Sequence, residues 1–171
     1  MTSQSEFVEV IISVGSNIEK ERHLPEAIRL LRRHRNIEVG DVSRIYESEA
    51  VGGGPDTPPF FNAAVVARTD LGPEELRDEL RAIERMLGRV RTRDKNAPRT
   101  IDLDVVYYAD LVKDFGEWEV PDPQAASVAH IVVPLAEVAP EWIDPRTGQT
   151  AFDAKVSLDG DDDRLRPAAD I

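Results

Sequence analysis

Apolar positions along the chain alternate between strand-like and helix-like stretches. Phe7-Val-Glu-Val-Ile-Ile-Ser-Val14 is dense in β-branched residues and predicts a buried strand, which runs directly into the turn residues Gly15-Ser16-Asn17. From Leu24 to His34, Leu24, Ala27, Ile28, Leu30 and Leu31 recur at helical spacing, with Pro25 in the first turn. Ile37 to Tyr46 alternates as a second strand, and Glu47 to Pro59, with three glycines and three prolines, reads as a long loop. Phe60 to Thr69 is a third strand. Leu71-Gly-Pro73 then opens a second helix, whose stripe Leu76, Leu80, Ile83, Met86 and Leu87 ends at Gly88. A basic irregular segment, Arg89 to Thr100, leads into a fourth strand from Ile101 to Tyr108. Trp118 to Val120 fits a short extra strand, and His130 to Val138 a short helix or turn. Beyond Trp142 the pattern fades, and Ser157 to Arg164 is too polar to pack, as in a mobile tail.

The order strand–helix–strand–strand–helix–strand predicts an α+β fold, a ferredoxin-like split βαβ sandwich with extra C-terminal elements. A length of 171 residues fits one domain over 1–153 followed by an acidic tail over 154–171. A net charge of -12 argues against binding nucleic acid or an anionic membrane, since both need a basic footprint. A small phosphate ligand stays open, because metal ions and a few arginines can reverse the local sign. With no cysteine there is no disulfide, thiolate metal site or thiol nucleophile. The polar start from Met1 to Glu6 and the lack of any membrane-length apolar run make the cytoplasm the expected location.

The chemistry concentrates in Arg99-Thr-Ile-Asp102-Leu-Asp104. Strand positions two apart share a face, so Asp102 and Asp104 project together and repel. A divalent metal would relieve that repulsion; a half-exposed strand with aspartates facing water would too. Arg89, Arg91 and Arg99 precede the pair in an otherwise acidic chain. They suit phosphate oxygens, or surface salt bridges with the abundant carboxylates. Phe60-Phe61-Asn62 offers an aromatic platform and an amide for a heterocycle edge, or ordinary core. Glu84, on the second helix, reads as a solvated position.

Together these segments are similar to the 6-hydroxymethyl-7,8-dihydropterin pyrophosphokinase family. The matching runs are Val14-Gly-Ser-Asn-Ile18, Phe61-Asn-Ala-Ala-Val65, Gly88-Arg-Val-Arg91, Pro98-Arg-Thr-Ile-Asp-Leu-Asp104 and Val133-Pro-Leu-Ala-Glu-Val-Ala-Pro140, in family order from about residue 8 to 145. The resemblance implies transfer of the terminal diphosphate of ATP to a hydroxymethyl pterin, with AMP released. It implies two Mg²⁺ ions on Asp102 and Asp104, with Arg89 and Arg99 as catalytic contacts to the transferring phosphates. Glu84, Arg91 and Ile101 would lie beside the nucleotide. Val51, Gly52, Phe60, Asn62, Asp102 and His130 would surround the pterin. The chain departs from the family at Asp122, Pro123 and Val128, where His, Tyr and Arg are usual. Phe60 stands at the usual Tyr, His130 at the usual Phe, and Asn96 at the loop tryptophan.

Three readings follow: this diphosphokinase, a non-catalytic pterin- or nucleotide-binding paralogue, or a ferredoxin-like module for another metabolite. The expected partners are small molecules, with the chain a monomer or weak homodimer.

Overall fold

The structure, a computed structural model, describes residues 6–49, 58–89, 100–158 and 165–168. Its elements run β1 (Val8–Ser16), α1 (Lys20–Arg33), β2 (Ile37–Val42), β3 (Tyr46–Ser48), β4 (Phe60–Thr69), α2 (Pro73–Met86), β5 (Asp102–Tyr108), β6 (Lys113–Asp114), β7 (Glu119–Val120), α3 (Ala129–Val138), α4 (Ala151–Val156) and β8 (Arg166–Pro167). The main sheet has the order β5-β1-β4-β3-β8, and β2 also pairs with β4. Every pairing is antiparallel. With both crossovers helical, this is the expected split βαβ arrangement.

The pleat divides the sheet into two faces. Val10, Ile12, Val14, Val65, Leu103 and Val105 pack with Leu24, Leu31, Leu76, Leu80 and Ile83 of α1 and α2. On the opposite face Ile11, Ala64, Val106 and Tyr107 meet Ile131 and Leu135 of α3 and Ala151 of α4. The β1–β5 register shifts between Ile11 and Ile12, so that Val106 has no partner of its own. This bulge lets Val106 and Tyr107 both join the α3-side core.

Several boundaries differ from the periodicity, each for a local reason. The second strand splits into β2 and β3 at residues 43–45, just after a bulge within β2 where Gly40 and Asp41 stand opposite Val66. A Cβ at position 40 would come within 3.2 Å of the Val66 carbonyl oxygen. Just beyond, Ser43 closes the break by accepting from Ala64 N at 2.9 Å and donating its own N–H to Ala64 O. Helix α1 starts one turn early, at Lys20, which places Pro25 inside it rather than in its first turn. The expected tail does not begin at 154. That boundary falls inside α4, Leu158 and Leu165 pack with Val132 and Val133 of α3, and β8 pairs with β3. A polar stretch between two apolar anchors had hidden this packing.

Among the described residues, strand β5 is terminal in the sheet, and its outer backbone groups have no neighbouring strand there. Side chains of α2 and the turn after it supply the partners. Glu84 Oε2 accepts from Leu103 N at 2.8 Å. Arg81 Nη1 donates to Leu103 O at 2.9 Å, and Arg89 Nη1 to Ile101 O at 2.9 Å. Glu84 is 1% exposed, so the solvated reading of this residue is corrected. Its charge is balanced by Arg81 Nη1 at 2.9 Å and Arg89 Nη1 at 3.6 Å. Glu84→Ala would leave a buried amide and two guanidinium groups without this acceptor. It should lower the unfolding free energy by about 3–5 kcal/mol in urea titrations, whereas Phe152→Ala, at an exposed position on α4, should cost less than about 0.5 kcal/mol.

Candidate active site

Asp102 and Asp104 lie on the sheet face opposite α1 and α2, as the two-residue strand period requires. Cross-strand pairing builds two rows from them. Asp102 pairs with Gly15, and Gly15 with Asn62; Asp104 pairs with Ser13, and Ser13 with Ala64. Asp102 and Asn62 are therefore two strand spacings apart, about 10 Å, with a glycine between them. A Cβ on Gly15 would meet Asn62 Oδ1 at 3.7 Å and Phe60 at 3.9 Å, filling the floor rather than clashing.

Above this floor is a cavity of about 660 Å³ lined by Ser13, Val14, Gly15, Ser48, Glu49, Phe60, Asn62, Asp102, Asp104, Asp122, Gln124, Val128, His130 and Ile131. Asn62 is buried and its orientation is set. Its amide nitrogen donates to Ser48 Oγ at 2.7 Å and to Tyr46 O at 3.2 Å. The amide oxygen is thereby left on the cavity side over Gly15, a fixed acceptor for an N–H-bearing heterocycle edge. Phe60 flanks the same floor. His130, in the first turn of α3, lines the wall above. Burial pulls its pKa below the ordinary imidazole value against the opposing pull of Asp102, so the ring is neutral at pH 7.

A second cavity, of about 370 Å³, adjoins the first and shares Asp104 and Asp122 with it. Arg77, Arg81, Asp114, Trp118 and Glu119 line its other walls. Trp118 stacks on Phe115 at 4.4 Å, and the Arg77 guanidinium lies over its ring at 5.2 Å, which ties the β6–β7 hairpin to α2.

The carboxylates are unequal. Asp102 takes a 2.8 Å bond from Arg89 Nη1. Among the described residues, Asp104 is met by the Nη2 end of Arg81 at 3.5 Å. Its side chain keeps 36% of its surface open to the cavities. Even so, loss of water around the carboxyl, then the neighbouring Asp102, with smaller contributions from Asp122 and Glu84, push its pKa up to about 7 against the pull of Arg81. Asp122, whose Oδ1 accepts from Gln124 N at 2.8 Å, is also raised, chiefly by burial.

Of the residues singled out from sequence, Asp102, Asp104, Phe60, Asn62 and His130 converge on the larger cavity, and Arg89 reaches Asp102 from beside it. Two residues expected beside the nucleotide are placed as follows. The Ile101 side chain is fully buried in the core, and only its carbonyl points toward Arg89. Glu84 lines neither cavity and serves the β5 edge. Val51, Gly52, Asn96, Arg91 and Arg99 fall outside the described residues. Sequence reasoning missed Arg81, whose one signal was its helical i,i+3 spacing to Glu84.

Known proteins share related sequence over most of this chain. The family model described as 7,8-dihydro-6-hydroxymethylpterin-pyrophosphokinase matches residues 11–140. A 2-amino-4-hydroxy-6-hydroxymethyldihydropteridine pyrophosphokinase from Synechocystis is 40% identical over 141 residues, spanning 82% of this chain and 71% of that protein. The enzyme of the same name from Bacillus subtilis is 38% identical over 128 residues, covering 74% of this chain and 75% of that one. Among solved structures, the wild-type HPPK-DHPS of Plasmodium falciparum with pteroate superposes with a TM-score of 0.71 at 11% identity, over 96% of this chain and 45% of the longer one; at that identity it supports the fold alone. The match over residues 11–140, on a cavity built from Asp102, Gly15 and Asn62, shows that the chain belongs to the 7,8-dihydro-6-hydroxymethylpterin-pyrophosphokinase family.

Proposed function

We propose that this chain transfers the terminal diphosphate of ATP to the hydroxymethyl oxygen of 6-hydroxymethyl-7,8-dihydropterin, releasing AMP, as a step of folate biosynthesis. The observation that carries the reading is the row Asp102–Gly15–Asn62, which sets a phosphate-side carboxylate and a heterocycle-reading amide at opposite ends of one cavity. In the reaction the hydroxymethyl oxygen loses its proton to solvent and bonds to the β-phosphorus of ATP, while the bond from that phosphorus to the α–β bridging oxygen breaks and AMP leaves with that oxygen. Asn62 and the rings of Phe60 and neutral His130 hold the pterin, so that its hydroxymethyl group extends along the floor toward Asp102. Arg89, with Arg99, neutralises charge on the transferring diphosphate. The smaller cavity beyond Asp104 takes the nucleotide.

The donor set at the strand end fits a hard divalent cation such as Mg²⁺. Asp102 and Asp104 share one face, and burial first, then the neighbouring Asp102, keep Asp104 from ionising at its ordinary pKa. Among the described residues no cluster of three or more His, Cys, Asp or Glu could hold a metal by itself. The pair therefore supplies the one or two carboxylates that Mg²⁺ accepts when substrate phosphates complete its shell. Bound there, two such ions would offset phosphate charge and polarise the phosphoryl oxygens. Asp122 stands where a neutral or cationic ring would favour nucleotide, and it faces both cavities.

Asp102→Ala or Asp104→Ala should lower AMP formation by several orders of magnitude while the circular dichroism spectrum is kept; normal turnover in either variant would exclude the metal assignment. Asp122→His should tighten binding of a non-hydrolysable ATP analogue in calorimetry with Mg²⁺. A carboxyl whose folded pKa, near 7, exceeds its unfolded value of about 3.9 stabilises the native state most below about pH 4 and loses that contribution as pH rises toward 7. Asp104→Asn cannot ionise, so in EDTA its melting temperature should gain on the parent protein progressively from pH 4 to pH 8. A difference independent of pH would contradict the crowding of this carboxyl.

A further inference from the structure

Arg81 stands at the meeting point of three features that have so far been separate: the β5 edge, the Asp pair and the second cavity. Its Nη1 is committed twice, to Glu84 Oε2 and to Leu103 O, each at 2.9 Å. Its Nη2 reaches past the strand edge to Asp104 Oδ1 at 3.5 Å. That distance is an ion contact longer than a good hydrogen bond, and it is the longest of the three. The guanidinium is held by the helix side and leans on the carboxylate. Arg89, by contrast, gives Asp102 a full 2.8 Å bond.

We propose that Arg81 is a resident stand-in cation for Asp104, a positioning residue whose contact a divalent metal must displace before Asp104 can ligate it. The inference rests on the metal reading of the Asp pair given above. Displacement requires little rearrangement. Only the Nη2–Oδ1 contact has to open, because the Nη1 bonds keep the guanidinium in place against Glu84 and Leu103. The released Nη2 then faces the cavity that Asp104 and Asp122 share, where the phosphates that bring the metal would pass. The physical need is plain in the charge count. Asp102 and Asp104 face one cavity, Asp102 already carries Arg89, and without a cation at Asp104 that carboxylate would draw bare metal more strongly whether or not nucleotide was present. A tethered guanidinium lowers the affinity for metal alone and makes the phosphate ligands necessary.

The test is Mn²⁺ binding to EDTA-stripped protein without nucleotide, read from the electron paramagnetic resonance of free Mn²⁺. Arg81→Gln keeps an amide donor for Leu103 O but removes the charge, and it should tighten Mn²⁺ binding by about three- to tenfold. Arg81→Lys keeps the charge and should stay within about twofold of the parent protein. A purely structural role at the strand edge would weaken metal binding in both variants, the reverse sign for glutamine. Folded Arg81→Gln protein that binds Mn²⁺ equally or more weakly overturns the proposal. Should that variant not fold, the parent protein decides. Its Arg81 Nε–Hε resonance should shift on saturation with Mg²⁺ and stay unmoved in Asp104→Asn; no shift in the parent protein overturns the proposal as well. If the parent protein binds no Mn²⁺ even with a non-hydrolysable ATP analogue, the metal reading itself fails. If it binds Mn²⁺ with no response to Arg81, this inference alone fails.

Discussion

Because β5 is the terminal strand of the sheet among the described residues, its outward amide and carbonyls meet no neighbouring strand there, and α2 closes that edge with side chains. A buried carboxylate, Glu84, takes the Leu103 amide, and a buried carboxylate needs cations beside it. Arg81 and Arg89 meet that need and also satisfy the Leu103 and Ile101 carbonyls. Both guanidinium groups are long enough to reach over the strand edge to the far face, where Asp104 and Asp102 stand. One buried charge therefore fixes two cations, and these in turn hold the two carboxylates of the proposed site. Edge protection and site assembly are the same set of bonds.

The sheet itself provides the spacing. Its pleat sends Leu103 and Val105 into the helical core and Asp102 and Asp104 to the opposite face, while the pairing of β5, β1 and β4 sets Asp102 and Asn62 in line across Gly15. The bulge at Val106 turns the same strand from carboxylates to apolar packing within two residues. The site is thus flanked on its own face by the α3-side core rather than by solvent. Helix α3 completes the enclosure by bringing His130 and Ile131 over the floor, and the segment before it brings Asp122, which is tied to β5 through Asp122 N and Val106 O at 2.9 Å. Both cavities carry acids; the larger adds Phe60, Asn62 and His130, and the smaller adds Arg77, Arg81 and Trp118. The two meet at Asp104 and Asp122.

Local pattern alone carried much of this. The strand periodicity of β1, β4 and β5, the helical stripe of α2 with Pro73 at its start, and the two-residue spacing of Asp102 and Asp104 follow from backbone geometry that does not depend on partners. These local patterns settled the fold class, the face shared by the aspartates, and the family through its ordered motifs. What depends on partners distant in sequence stayed out of reach. Glu84 looks like any surface glutamate on a helix until β5 is laid against it, and Arg81 looks like its ordinary i,i+3 companion. Ile101 adjoins the motif and yet faces the core. The C-terminal strand pairs with β3 across more than a hundred residues of chain, a contact that no window of sequence contains. Periodicity determines which side of its own element a residue takes. Only the tertiary structure decided what Asp102 and Asp104 would find there, because burial, charge balance and cavity walls belong to the meeting of elements and not to any one of them.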